Sequence, residues 1–345
     1  MIPMPVEFPT NQWYVIASTD EIGAQPLART VCGEHIVLYR KSDGEVVALA
    51  DRCPHRGYPL SLGTVADDTI QCGYHGLVFD GCGSCVSAPN QKQIPSRADV
   101  ATYRLYATGP WIWVWIGDPD AADEAEVPDL PWMDAEGWKV LWGMEPLDGR
   151  YGLLVDNLLD LSHETFLHAG SIGTPEVAET PIDTRVDEDT GVVYVSRHMA
   201  SVECPPFYAD NAGLESPIDR WQDIEYHPVC LYLLRVRVAP AGTVPNDDGT
   251  DPDAAHLMVL YGITPSTAGS TLDFWALCRD FALDDAEVDA GMAAMQTGVV
   301  LEDVAALGVI EQRLAEEGMP DEVSLKIDTG ALAARRLIGM QLAAG

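Results

Sequence analysis

DRCPHRGYPLSLG, residues 51–63, and CGYHGLVFD, residues 72–80, decide how this chain reads. Cys53 and His55 stand two apart; sixteen residues later Cys72 and His75 stand three apart. Each pair fits on one short loop, so two neighbouring loops can offer two thiolates and two imidazoles to one centre. Such a set suits a structural zinc ion, and it also suits a two-iron cluster with both Cys on one iron and both His on the other. The order within the pairs favours the cluster, because each loop then gives one ligand to each iron. Zinc ribbons and fingers more often use Cys–Cys or His–His pairs. Gly and Pro in and beside the loops (Pro54, Gly57, Pro59, Gly63, Gly73, Gly76) let backbone N–H groups approach bridging sulfides. Cys82 and Cys85 follow as a further C-x2-C. With four ligands already assigned, Cys85 is expected to pack under the cluster loop and Cys82 to sit in the Gly-rich turn 80–83.

Around these loops the first third reads as all-β. Residues 34–39 and 46–50 flank Lys41-Ser-Asp-Gly44, a hairpin signal, and Trp111-Ile-Trp-Val-Trp-Ile116 is an aromatic, β-branched run ending at a turn. Residues 119–131 are acidic and Pro-rich and mark a linker. Beyond them a helix is expected over 153–166, strands over 192–202, 230–239, 257–263 and 271–278, and a long helix over 284–317. An acidic hairpin loop is expected over 246–255. The fold class is therefore α+β: an all-β domain, 1–118, followed by a domain of antiparallel sheet and helices, 119–345.

Charge narrows the function. Twenty Lys+Arg against 54 Asp+Glu leave a net charge of −34 over 345 residues. A nucleic-acid partner and an anionic membrane face are both disfavoured by such a field. The first 14 residues hold three prolines and no basic cluster, unlike a secretory signal, and no apolar run approaches the length of a membrane span. The expectation is a cytoplasmic protein whose eight cysteines serve as buried thiols or metal ligands rather than disulfides.

A second constellation lies on the predicted helix over 153–166: Asn157, Asp160, His163 and His168. Steps of three put residues 157, 160 and 163 on one helical face. His163 and His168, five apart, would diverge on an ideal helix, and a π-type bulge or frayed end is needed to bring them together.

CPHRGYPLSLG…CGYHGLVFD resembles the Rieske [2Fe–2S] domain of ring-hydroxylating and demethylating oxygenases. N-x2-D-x2-H-x4-H downstream resembles the catalytic motif of Rieske non-haem iron oxygenases. The resemblance implies a [2Fe–2S] cluster on Cys53, His55, Cys72 and His75, and a mononuclear Fe(II) on His163, His168 and a carboxylate. It further implies that Asp160 links His75 of a neighbouring subunit to the catalytic iron, with Asn157 close by. LEDVAALGVIEQR, residues 301–313, resembles a late segment of the demethylase-type members and nominates Asp303 as the carboxylate ligand. The length and this late Asp most resemble the vanillate O-demethylase and dicamba monooxygenase group of homotrimers.

The function so implied is that of an oxygenase component that uses O2 and electrons from NAD(P)H, delivered by a separate reductase or ferredoxin. Its reaction would be demethylation or hydroxylation of a small aromatic compound, an aromatic acid being one candidate, with ring or angular dioxygenation the alternative. An electron carrier without catalysis, or a zinc-binding interaction module, would leave His163 and His168 idle. Arg235 and Arg237, two apart on a predicted strand, are read chiefly as paired with some of the many acids, with a substrate carboxylate anchor as the rival role. In the herbicide-demethylating relatives a Trp lies nine residues before the iron-binding Asp; Ala294 stands there, so that pocket is not expected to be copied. Arg52 and Arg56, with Arg97 expected nearby, are candidate contacts for an acidic redox partner, and a structural role for the two is the alternative.

Overall fold

Two runs of alternating, inward-facing side chains organise the chain. The structure, a computed structural model, describes Met4, Pro5, 7–247 and 250–344; parts of the stretch 1–14 and of the predicted loop 246–255 lie outside these residues. Contacts divide the chain into two compact units. One comprises residues 10–129 with the strip 264–268, and the other comprises 130–263 and 269–345 with the residues before Thr10. This division falls after Asp129, where the sequence reading put the boundary after Asp118, so the acidic stretch 119–129 stays with the first unit.

The first unit is built from three small antiparallel sheets. β1 (Gln12–Ser18) pairs with β10 (Trp111–Ile116), which pairs with β9 (Leu105–Thr108). β2 (Leu27–Val31), β3 (Glu34–Arg40) and β4 (Val46–Ala50) form a meander, and so do β5 (Thr64–Ala66), β6 (Thr69–Gln71), β7 (Val78–Phe79) and β8 (Cys85–Ser87). All six side chains of β10 are buried, as its unbroken apolar run requires of a strand covered on both faces. Val37, Tyr39, Leu49, Ile70 and Phe79 form a core that also takes in Cys53, Cys72 and Cys85. Cys85 thus packs beneath the loops as expected. Cys82 is exposed, its N–H donating to Asp80 Oδ1 (3.0 Å) in the turn.

The second unit is a seven-stranded antiparallel sheet with helices. Its strands are β11 (Lys139–Leu147), β12 (Asp183–Val186), β13 (Val193–Val202), β14 (Ile218–His227), β15 (Leu231–Pro240), β16 (Ala255–Thr267) and β17 (Ser270–Arg279). Their spatial order is β11-β17-β16-β15-β14-β13-β12. Two of these are hidden from hydrophobic pattern for identifiable reasons. β14 alternates strictly between buried and half-buried residues, but Arg220 and Gln222 occupy two of its inward positions and mask the period. β11 contains Gly143 and Pro146, which a strand tolerates at the sheet edge where β11 lies.

The helices are α1 (Tyr151–Leu159), α2 (Glu164–Leu167), α3 (Pro175–Glu179), α4 (Pro206–Ala212), α5 (Ala286–Glu317) and α6 (Thr329–Ala344). α5 is capped by Asp285, whose carboxylate accepts from the N–H groups of Glu287 (2.9 Å) and Val288 (3.2 Å). Contrary to the sequence reading, α5 is long and apolar enough by composition to cross a membrane, because Ala, Gly, Met and Val fill it. Its buried stripe of Met292, Gln296, Val299, Val300, Asp303 and Leu307 instead packs into the unit and carries a carboxylate and an amide inward. That stripe is what a soluble core helix shows.

Polar clamps hold the helices. Arg150, at the start of α1, makes a two-pronged ion pair with Glu311 of α5, at 2.7 Å from each of Nε and Nη2. Arg335 of α6 is buried and reaches both Asp156 of α1 and Glu322, the latter at 2.6 Å. Replacing Arg335 by Met leaves two carboxylates facing each other without their cation. Arg335→Met should lower the stability of this unit by about 2–3 kcal/mol, read as an earlier urea transition. An unchanged transition would mean that the clamp carries no net stability.

Candidate metal centres

The two Cys–His loops fold in the same way. In the first, Cys53 N–H donates to the Tyr58 carbonyl (2.9 Å) and Gly57 N–H to the Cys53 carbonyl (2.8 Å). In the second, Cys72 N–H donates to Leu77 O (2.8 Å) and Gly76 N–H to Cys72 O (3.0 Å). Gly57 and Gly76 close these turns at φ +72° and +74°, a conformation that a side chain would strain. Each loop therefore buries its Cys and leaves its His outside: Cys53 and Cys72 are 2% exposed, while His55 and His75 are exposed. The two imidazole rings lie 4.6 Å apart, centre to centre. Burial pushes the Cys53 thiol above its ordinary pKa, opposed by the backbone N–H of His55, and the Cys72 thiol beside it adds to the rise.

This arrangement discriminates between a single ion and a cluster. Four ligands on one zinc ion bring their donor atoms within about 4 Å of one another. His163, His168 and Asp303 each offer one donor atom, and the three lie within 4.8 Å of one another; at the Cys–His loops the sulfurs are instead buried and the imidazoles exposed. Paired sulfurs inside and paired imidazoles outside fit a two-iron centre.

The second centre rests on a broken helix. α1 stops at Leu159, and Asp160 takes an extended conformation (φ −126°, ψ 93°) that caps α1 and begins a 3-10 turn over Leu161–His163. Its carboxylate accepts from Ser162 N–H at 2.9 Å. Residues 157, 160 and 163 therefore do not share one helical face, and no π-bulge is involved. The break lets α2 start in a new direction, and the rings of His163 and His168 meet at 5.1 Å and 76°. Asp303 comes up from α5, its Oδ1 lying 3.5 Å from His163 Nε2 and 3.2 Å from His168 Nε2. His168 Nε2 and Asp303 Oδ1 are buried without an aligned hydrogen-bond partner. Two imidazole nitrogens and a carboxylate oxygen, converging with two of the three buried, fit a divalent iron.

Both His are fixed from behind. His163 Nδ1 lies 2.6 Å from the Asp160 carbonyl, and His168 Nδ1 lies 2.6 Å from Glu302 Oε2. Burial pulls the His168 pKa down, but Asp303 and Glu302 outweigh it and the net direction is up. His163 lines two cavities. On one side is an enclosed, mainly apolar cavity of about 60 Å³ that also reaches His168 and Asp303. On the other is an open one of about 450 Å³ that includes Asn157 and Asp160. The Asn157 amide nitrogen is buried without a partner.

The floor of the enclosed cavity comes from the expected strands, with Tyr232 and Leu234 on β15, Leu257 and Tyr261 on β16, and Leu277 on β17, and α5 adds Gln296. Ala294 is exposed and takes no part. Neither Arg of β15 reaches it. Arg237 is locked to Asp251 (2.5 Å), and Arg235 is exposed, over the Trp132 ring and 3.7 Å from Glu225. Sequence reasoning missed Glu164, Arg220 and Gln222. Glu164 and Arg220 form an ion pair at 2.8 Å, with both side chains under 5% exposed. A strict alternation read through polar residues over 218–226 is the signal that would have revealed the two on β14.

Comparison with known proteins agrees with this geometry. Residues 12–104 match the Rieske [2Fe-2S] domain, and residues 147–344 match the vanillate O-demethylase oxygenase C-terminal domain. The chain is 37% identical to the vanillate O-demethylase oxygenase subunit of Pseudomonas sp. (strain HR199 / DSM 7063), over 98% of this chain and 96% of that one. It is 34% identical to the dicamba O-demethylase oxygenase component of Stenotrophomonas maltophilia, over 89% of each. The crystal structure of dicamba monooxygenase bound to 3,6-dichlorosalicylic acid superposes with a TM-score of 0.91 at 31% identity, covering 98% of this chain and 99% of that one. The chain belongs to the vanillate O-demethylase oxygenase family of Rieske non-haem iron oxygenases. It is an oxidoreductase, and its relatives are oxygenase components of multicomponent systems.

Glu302 supplies a direct test of the second centre. Glu302→Gln keeps the shape but loses the charge behind His168. It should weaken Fe(II) retention by about 10–100-fold, measured by competition with a chelator, and leave the visible spectrum of the cluster unchanged. Equal iron affinity in the variant would remove Glu302 from the centre.

Proposed function

We propose that this chain is the terminal oxygenase of a system that demethylates or hydroxylates a small aromatic compound. It draws electrons from NAD(P)H through a separate reductase or ferredoxin. Cys53, Cys72, His55 and His75 would hold a [2Fe–2S] cluster. His163, His168 and Asp303 hold Fe(II). When bound, these centres supply one-electron transfer and activation of O2. The observation that carries the reading is the convergence of three donor atoms, two of them buried and unpartnered, beside an enclosed apolar cavity.

The two cavities that meet at His163 divide the work. The smaller, largely buried one takes the substrate. The open one exposes Asp160 and Asn157, where a neighbouring copy of the chain can bring its own His75 against Asp160; this supports a homotrimer as the working form. Asp160 holds His163 through its carbonyl, so one residue ties the entry route to a ligand of the iron. Eight free cysteines fit a reducing compartment, and we place the protein in the cytoplasm.

The fully loaded protein should contain two cluster irons and one further iron per chain, and couple O2 uptake to formaldehyde release with an aryl methyl ether. His163→Ala and Asp303→Ala should each lose the single iron and keep the red-brown cluster. Asp160→Asn should keep both centres largely filled and abolish multiple turnover. Stoichiometric zinc with no EPR signal on reduction would overturn the assignment, and near wild-type turnover in Asp160→Asn would remove the inter-subunit route.

Arg52, Arg56 and Arg97 are exposed around the cluster loops, and none makes an ion pair among the described residues. Asp51 is instead engaged by Ser61, through its N–H at 2.7 Å and its hydroxyl at 2.5 Å. On a chain of net charge −34, such a local basic patch favours docking of an acidic electron donor. Arg56→Glu should slow cluster reduction by the donor several-fold, most at low ionic strength, with reduction by dithionite unchanged. A disturbed cluster spectrum would make Arg56 structural, and an unchanged rate would move the docking face elsewhere.

A further inference from the structure

The enclosed cavity has one polar wall, and its free atoms specify a ligand. Glu164 accepts from Arg220 Nη2 at 2.8 Å and from Gln222 Nε2 at 2.9 and 3.2 Å. Since the amide nitrogen of Gln222 is turned to the carboxylate, its oxygen points away from it. That oxygen is buried and has no partner, on a residue 1% exposed. Arg220 spends Nη1 on the Ile172 carbonyl (2.9 Å) and Nη2 on Glu164, and its Nε–H is likewise buried and unpartnered. Arg220 and Gln222 are two apart on β14, hence on one face, and both line the cavity. The β14 wall therefore presents one free acceptor beside one free donor, and the Tyr232 hydroxyl of the floor is buried and unpartnered as well.

Charge decides what can occupy it. Arg220 is the one Arg or Lys lining this cavity, and its charge is matched by Glu164. A carboxylate or sulfonate placed against this wall would face the Glu164 carboxylate with one free guanidinium N–H and no unmatched positive charge to receive it, which is unfavourable in a buried site. A neutral hydroxyl fits both free atoms, donating to Gln222 Oε1 and accepting from Arg220 Nε. Most of the remaining lining is aliphatic, with the hydroxyls of Tyr208, Tyr232 and Tyr261 and the Gln296 amide among it, and the small space, about 60 Å³, sets a single small ring as the upper limit. We infer that the substrate is an uncharged, single-ring phenol, held by its hydroxyl between Gln222 and Arg220, and that an aromatic acid is not the preferred ligand. This rests on the cavity being the substrate site of the oxygenase.

Calorimetric titration of the iron-loaded enzyme under nitrogen, with three probes of one size, tests the inference separately from turnover. The probes are 2-methoxyphenol, its capped analogue 1,2-dimethoxybenzene, and 2-methoxybenzoate. 2-Methoxyphenol should bind at least 10-fold more tightly than either of the others, a comparison that needs no variant. Gln222→Met should bring 2-methoxyphenol down to the affinity of 1,2-dimethoxybenzene and leave the latter within twofold, with iron content and cluster spectrum unchanged. The inference falls if the benzoate binds most tightly, if the phenol has no advantage, if none of the three binds, or if Gln222→Met weakens the phenol and the capped analogue equally. Selective binding of the phenol without O2 uptake would instead count against the oxygenase reading and leave the recognition intact.

Discussion

A polar atom buried in a dry cavity must be met by a partner, and at the centre of this chain two such atoms are left facing each other across a gap. His168 Nε2 and Asp303 Oδ1 are both buried, 3.2 Å apart and without an aligned hydrogen bond. Buried polar atoms left unmet cost a few kcal/mol each, and a cation or a proton held between the two meets both. The surrounding structure maintains this gap. Asp160 breaks α1 and sets the angle of His163, Glu302 fixes His168, and the Arg150–Glu311 pair pins α5, which carries Asp303, to the start of α1. A metal ion bound by these three residues, as proposed, would make the same constraints stabilising.

The first unit solves a different problem with the same economy. Two loops with identical hydrogen-bond patterns give one buried sulfur and one exposed imidazole each. A centre built this way has a covered half and an exposed half, which suits a group that must exchange electrons with other proteins. The acid-rich composition keeps the average field negative, so the three unpaired Arg beside the loops stand out as a local exception.

Spacing made the metal ligands legible, and periodicity made the apolar strands legible. Cys53, His55, Cys72 and His75 are close in sequence, and residues 46–50 and 111–116 show their strands outright. Asp303 was reachable only through a resemblance, because 54 acids compete and its α5 position has no local signature. The helix expected over 153–166 is two helices and a 3-10 turn, since Asp160 prefers to bond its own neighbour's N–H to continuing the helix. The polar wall was invisible for a related reason. Glu164, Arg220 and Gln222 satisfy one another across the fold, and each taken alone looks like an ordinary surface residue. Buried polar groups that complete each other in space leave little trace in a linear pattern.

The central claim is that one chain carries a two-iron centre and a separate single iron at the residues named. Anomalous diffraction from crystals of the protein with its native metals, recorded on both sides of the iron and zinc edges, tests it most directly. An elongated iron peak is expected between the sulfurs of Cys53 and Cys72 and the imidazoles of His55 and His75. A single compact iron peak should lie among His163, His168 and Asp303. A zinc peak at the first position, or no metal at the second, would contradict it.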